Sequence, residues 1–80
     1  MEVYVVVKTL YGKGLTDDFG NEVNCLSEIV GVYASVETAH QVQDDLYNTS
    51  PYNIVPMRQE EFDPNETYID VVVEEAEVFE

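Results

Sequence analysis

Only three side chains in this 80-residue chain are fixed cations, Lys8, Lys13 and Arg58, against 17 aspartates and glutamates, for a formal net charge of −14. Three cations can neutralise only a small fraction of those carboxylates. Any fold must therefore leave most of them in water, facing one another's repulsion. That requirement confines the acidic residues to loops, strand ends and outer faces, and leaves the interior to an apolar fraction of 45%. Such a fraction is ordinary for a globular chain, so the acidity does not mark a disordered tail. A chain of this length has room for one domain, 1–80, burying about 60–65% of the surface its unfolded form exposes. A deep active-site cleft is not expected of so small a core.

Valine and tyrosine dominate the apolar set, which favours strands. From Val3 to Leu10 both alternating faces are apolar, Val3, Val5 and Val7 on one and Tyr4, Val6 and Leu10 on the other. This reads as an interior strand covered on both sides, or covered on one side with tyrosine on the other. Residues 11–24 carry Gly12, Gly14 and Gly20 with Asp17 and Asp18, and read as a loop. A second strand is expected from Leu26 to Ala34, with Gly31 marking a bulge or a close contact. Ser35 is a natural helix N-cap, and Glu37 follows in the first turn, where a carboxylate suits the helix dipole. Val36, Ala39, Val42, Gln43, Leu46 and Tyr47 then share one arc of an amphipathic helix that ends near Asn48, before Pro51. Tyr52–Met57 reads as a short strand that Pro56 either keeps at an edge or ends irregularly. Residues 60–67 form an acidic turn, and Tyr68–Phe79 a last strand with a register change near Glu74 and Glu75. The expected fold is α+β, β-β-α-β-β, with one helix on one face of a mostly antiparallel sheet.

Residue types that carry chemistry are sparse. His40 is the sole histidine, and Asp44 stands one helical turn on. Without a serine, cysteine or metal cluster fixed nearby, a surface role is expected of the pair. Cys25 is the sole cysteine, which excludes an internal disulfide and fits a reducing cytoplasm. Its neighbours are acidic rather than basic, so it reads as a partly buried, inert thiol. Asp63, Asn65 and Thr67 alternate like the start of a calcium loop. Tyr68 stands where that loop needs glycine, however, and only Glu74 at the twelfth position conforms. No metal or other cofactor is expected.

Six tyrosines could stack on bases, but the negative field opposes direct nucleic-acid binding and attachment to an anionic membrane. Core margins or a protein interface suit them better. The opening MEVYVVVKTL is too short and too acidic for a signal peptide or a membrane span, and reads as a first strand. What remains is the acidic concentration in residues 60–80: Glu60, Glu61, Asp63, Glu66, Asp70, Glu74, Glu75, Glu77 and Glu80, with no Lys or Arg. Glutamates sharing one strand face recur at roughly 6.5–7 Å, comparable with the phosphate spacing of a DNA strand. Guarding the Val71–Val73 run against edge-to-edge aggregation accounts for some of these charges. It does not account for the shortage of cations along the whole chain.

The opening Met-x-Val-Tyr-Val-Val-Val, the central EIVGVYASVETAHQV and the closing YIDVVVEEAEVFE together resemble a group of very small acidic bacteriophage proteins. Their strand-to-helix junction reads G-V-[FY]-[AS]-S/T-x-E-x-A, here GVYASVETA, residues 31–39. The resemblance implies a phage or mobile-element origin and the same βα architecture, and carries over no catalytic residue. It also implies the host-takeover or anti-defence kind of activity, including anti-restriction and anti-CRISPR proteins, some of which imitate DNA. The expected function is non-enzymatic: an inhibitor or adaptor that binds a basic, nucleic-acid-binding bacterial protein in the host cytoplasm. The residues expected to carry it are Glu60, Glu61, Asp63 and Glu66 in the turn and Glu74, Glu75 and Glu77 on the last strand, with Asp17, Asp18, Asp44 and Asp45 extending the patch. The alternative is a self-associating module, a homodimer or small oligomer, whose acidity only maintains solubility.

Overall fold

The valine- and tyrosine-rich start of the chain forms one long strand of 15 residues, β1 (Glu2–Thr16), in the computed structural model, which describes residues 1–79. It pairs antiparallel with β2 (Glu22–Tyr33) as a hairpin. The helix α1 (Val36–Thr49) follows, then β3 (Asn53–Ile54), a single 3-10 turn over Gln59–Glu61, and β4 (Tyr68–Glu77). The four strands make one sheet in the order β2-β1-β4-β3, antiparallel except for the parallel β3–β4 pair. This is an α+β domain of the β-β-α-β-β type, with one helix on one face of a mostly antiparallel sheet.

Three expected boundaries shift. Residues 11–24 are mostly strand rather than loop, because two of the glycines sit in a bulge. Between the pairs Tyr11↔Cys25 and Leu15↔Val23, Gly12, Lys13 and Gly14 on β1 stand opposite Asn24 alone. The turn itself is confined to Asp17–Asn21, where the Asp17 carboxylate accepts from the N–H groups of Phe19 and Asn21, both at 2.9 Å. The third strand shrinks to two residues, since Pro56 denies it a backbone donor soon after Ile54. The last strand stops at Glu77 and runs with no register change. From Glu2↔Glu77 to Tyr11↔Tyr68 its pairing with β1 is unbroken, so the pleat alternates regularly through Glu74 and Glu75.

A bulge does occur in β2: Val6 pairs with Gly31 and Val7 with Ile29, leaving Val30 extra. Gly31 stands beside it, and a Cβ there would meet the Tyr33 hydroxyl at 2.6 Å, so that ring would have to shift.

Alternation divides β1 cleanly. Tyr4, Val6 and Leu10 face the helix together with Ile69, Val71 and Val73 of β4, and Val6, Ile69, Val71 and Ala39 form the buried centre. The tyrosine-bearing side is thus the covered one. Val3, Val5 and Val7 occupy the other, with no element packed over them among the described residues.

The helix presents the arc expected of it: Ala39 is fully buried, and Val42, Leu46 and Tyr47 pack beside it. Ser35 caps it, accepting from the Thr38 N–H at 3.4 Å. Because β3 pairs only with Tyr68 and Ile69, the backbone of Val71 has no strand neighbour on that side. The helix supplies the missing partners. Gln43 Nε2 donates to the Val71 carbonyl at 2.7 Å, and the Tyr47 hydroxyl accepts from the Val71 N–H at 2.9 Å. Two polar side chains on the apolar face of α1 thus satisfy a strand edge that would otherwise be orphaned.

Candidate functional site

The acidic residues of the C-terminal third fall into two groups at opposite ends of β4. Glu60, Glu61, Asp63 and Glu66 lie before its first residue, Tyr68, and Glu74, Glu75 and Glu77 lie in its last four positions. At about 3.3 Å per residue the strand itself separates them by roughly 20–30 Å. They do not make one continuous row.

The regular pleat divides the second group as well. Glu75 pairs across from Tyr4 and Glu77 from Glu2, on the helix side of the sheet. Glu74 pairs with Val5, on the uncovered side with Asp70. All seven residues are exposed. Glu80 lies outside the described residues. Asp44 and Asp45 are exposed on α1, and Asp17 and Asp18 belong to the hairpin turn.

The turn group has a defined scaffold. The Glu61 and Phe62 N–H groups donate back to Arg58 and Gln59, closing the 3-10 turn. Asp63 donates its N–H to the Tyr68 hydroxyl at 2.6 Å, and its carboxylate accepts from the Asn65 N–H at 2.9 Å. The Glu66 carboxylate accepts from Asn53 Nδ2 at 3.2 Å, tying the turn to β3. Phe62 packs edge-on against Tyr68, with ring centroids 4.8 Å apart. This contact buries Tyr68, although its strand position places it on the otherwise open face.

Between this turn and the hairpin is a cavity of about 230 Å³, lined by Tyr11, Phe62, Pro64 and Tyr68 with Lys13, Asp63 and Glu66 at its polar margin. Gly12 permits the close approach that forms it. Its φ is +150°, and a Cβ there would stand 2.9 Å from the Glu66 carbonyl oxygen. Sequence reasoning missed this cavity. Its signal is the cross-strand pair Tyr11↔Tyr68, hidden when β1 is ended at Leu10.

A second cavity of about 260 Å³ lies between Leu10 and Leu26 and the hairpin-turn residues Asp17 and Asp18. Beside it Lys8 Nζ and Glu28 Oε1 meet at 2.7 Å, the one ion pair among the described residues. The other carboxylates of the described chain face solvent or accept hydrogen bonds from neutral groups.

Neither His40 nor Cys25 lines either cavity. His40 is exposed, and its Nδ1 lies 3.1 Å from Gln43 Oε1 rather than against Asp44. Cys25 is exposed on β2, which corrects the expectation of a partly buried thiol: it pairs with Tyr11, on the side of the sheet opposite the helix. Among the described residues no three His, Cys, Asp or Glu side chains converge as a metal site. None of their helices is long and apolar enough to cross a membrane.

Two tyrosines titrate above the usual phenol range. Burial is the leading cause at Tyr4, followed by the Glu2 and Glu75 carboxylates on either side. At Tyr47 burial again leads. The Val71 backbone hydrogen bond opposes it, and Asp70 reinforces it.

No family model matches the chain, and neither does any curated protein or solved structure.

Proposed function

We propose that this protein is a non-enzymatic inhibitor or adaptor of the bacteriophage host-takeover or anti-defence kind. It binds a basic, nucleic-acid-binding bacterial protein in the host cytoplasm and competes there with DNA or RNA. The observation that carries this reading is the unneutralised charge: 17 carboxylates stand against three cationic side chains, one of which is held in the Lys8–Glu28 pair. A surface of that sign attracts a basic partner over distances of about a Debye length, roughly 8–10 Å at moderate salt, and speeds encounter. It repels nucleic acid itself.

The division of the acidic residues into two groups makes the test more specific. Wild-type protein is used to capture partners from bacterial lysate beside two variants. One carries Glu60, Glu61 and Glu66 changed to Gln, and the other Glu74, Glu75 and Glu77 changed to Gln, with salt elution and mass spectrometry. Retention of a DNA- or RNA-binding protein by the wild type, lost in one variant and eluted by moderate salt, supports the reading and names the contacting end of β4. Retention unaffected by both variants and by salt argues against it.

A second reading, self-association through apolar strands, is favoured by the uncovered valine face of the sheet. A mass that doubles with concentration and is unchanged in the glutamine variants supports it.

A further inference from the structure

The open face of the sheet and the aromatic cavity at its end are one continuous surface. Val3, Val5 and Val7 line its middle strand, and Ile29 and Val32 flank them on β2, at 67% and 57% exposure. Val72 flanks them on β4 at 42%. The next positions along β1 and β4 are Thr9, Asp70 and then the pair Tyr11↔Tyr68, which forms the cavity floor. From Val3 to Tyr11 the face is about 27 Å long and, across three strands, about 14 Å wide, roughly 350–400 Å² in projection. That area includes Thr9, Asp70 and Glu74, and its apolar part is in the range of the largest apolar patch on an ordinary monomer, a kind of patch that is often functional.

A stable complex covers about 800 Å² on each partner, so the apolar strip supplies an interface centre and its surroundings must supply the rim. Those surroundings are acidic. Glu74 lies on the face itself, Asp70 at its β4 edge with its carboxylate 3.2 Å from the Tyr47 hydroxyl, and Asp63 and Glu66 stand at the cavity margin. A second copy placed face to face would bring its own net charge of −14 and its own Glu74 against the strip, which holds no cation to offset them. Charge complementarity therefore selects a foreign occupant.

We infer that this face docks an apolar protein surface ringed by basic residues, and that the cavity between Tyr11, Phe62 and Tyr68 receives an arginine side chain of that partner. Aromatic rings attract a cation over their faces, and a flat guanidinium stacks on them while donating to carboxylates beside it. Asp63 and Glu66 are those carboxylates. Lys13 stands at the same margin and competes with the incoming cation. The inference rests on the reading of the protein as a binder of basic protein surfaces. It moves the contact from both sides of β4 to one, where Glu74 counts and Glu75 and Glu77 do not.

The test uses a synthetic seven-residue peptide alternating valine and arginine. Two controls accompany it, one with serine for valine and one with citrulline for arginine. Titration calorimetry gives the affinity, and amide chemical shifts map the contact. The parent peptide is expected to bind more tightly than either control and to shift Val5, Val7, Val72 and Tyr11.

Ile29→Ser with Val32→Ser should weaken binding by about tenfold or more, through lost apolar burial. Asp63→Asn with Glu66→Gln should weaken it by about fivefold, through lost cation attraction. Lys13→Gln should tighten it about twofold, by removing the competing charge. Glu75→Gln with Glu77→Gln should leave it unchanged. Ile29 and Val32 are exposed, so those variants keep the fold, which a melting curve verifies.

The inference is overturned if binding ignores Ile29 and Val32 but falls with Glu75 and Glu77 or with Glu60 and Glu61. In that case the acidic-binder reading survives on another surface. It is also overturned if the serine control binds equally well, or if sedimentation shows a dimer that Ile29→Ser with Val32→Ser dissolves. If the parent peptide fails to bind even at low salt, the inference fails; the acidic-binder reading falls with it only if lysate capture also retains no basic protein.

Discussion

The two faces of one strand differ in everything except residue type. On β1, Val6 is fully buried under α1, while Val5 and Val7, its sequence neighbours, are half-buried on the other side, with no element packed over them among the described residues. Both faces are apolar, yet a single 14-residue helix is long enough to cover only one. Apolar alternation on both sides of a sheet therefore does not show that both sides are packed within the chain. It shows that the second side is suited to burial, and any cover for it would have to come from another molecule.

The sharpest way to break this comparison is to delete methyl groups from each face in turn. Ile69→Ala, on the covered face, should cost about 2–4 kcal/mol. That is a large part of the stability of so small a domain, and urea denaturation would measure it. Ile29→Ala, on the open face, should cost less than about 1 kcal/mol, because the residue is already two-thirds exposed. Comparable losses at the two positions would mean that the open face is covered in solution by a second copy.

The next effect belongs to the covered face alone. Tyr47→Phe removes a hydroxyl that accepts from the Val71 N–H and lies 3.2 Å from both the Val71 carbonyl and the Asp70 carboxylate. It leaves a strand donor without a partner, at a cost of about 1–3 kcal/mol. A pH signature accompanies it. The folded phenol titrates above its unfolded value, so the neutral form is the one the fold favours. Its contribution is complete below about pH 10 and is lost as pH rises through the folded value. Stability should therefore fall above pH 10 in the wild type and less steeply in Tyr47→Phe. A residual slope should remain from Tyr4, whose pKa is also raised.

Much of this fold was legible in the sequence. The helix begins at its expected N-cap and ends within a residue of its expected stop, because Ser35, the apolar arc and Pro51 each act locally. The errors came where a distant partner decides. Gly12 and Gly14 read as loop residues, and only pairing with β2 makes them a bulge inside a hairpin. The expected register change at Glu74 and Glu75 followed from adjacent charges. Pairing with β1 along ten residues overrides that local signal and divides the glutamates between the two faces. The acidic residues were legible as exposed, but their grouping was not, since it depends on the length of β4. The aromatic cavity was the least accessible feature, because Tyr11, Phe62 and Tyr68 meet only after the acidic turn folds back over the sheet.

A smaller effect tests the entry to the covered face. Ser35→Ala removes the cap at the start of α1. Its bond to the Thr38 N–H is long, at 3.4 Å, so the loss should lie near the lower end of cap effects, about 0.5–1 kcal/mol. Helical circular dichroism would report fraying. A loss of 2 kcal/mol or more would show that the cap also sets the angle at which the helix meets the sheet.

The smallest effect separates pairing from the overall field. Lys8 and Glu28 form an ion pair at the surface, with side chains 27% and 62% exposed. Such pairs contribute about 0–1 kcal/mol. In a chain of balanced charge, removing either partner would cost about the same. Here the two changes act on opposite sides of a large negative excess. Glu28→Gln loses the pair but relieves repulsion, so its net effect should be within about 0.5 kcal/mol of zero. Lys8→Gln loses the pair and adds to the imbalance, so it should be the more destabilising of the two. Thermal melts at low and high salt would measure the gap, which should close as screening shortens the field to a few ångströms. Equal losses that persist at high salt would instead place the interaction in the contact itself, and the acidity of the remaining surface would have little bearing on folding.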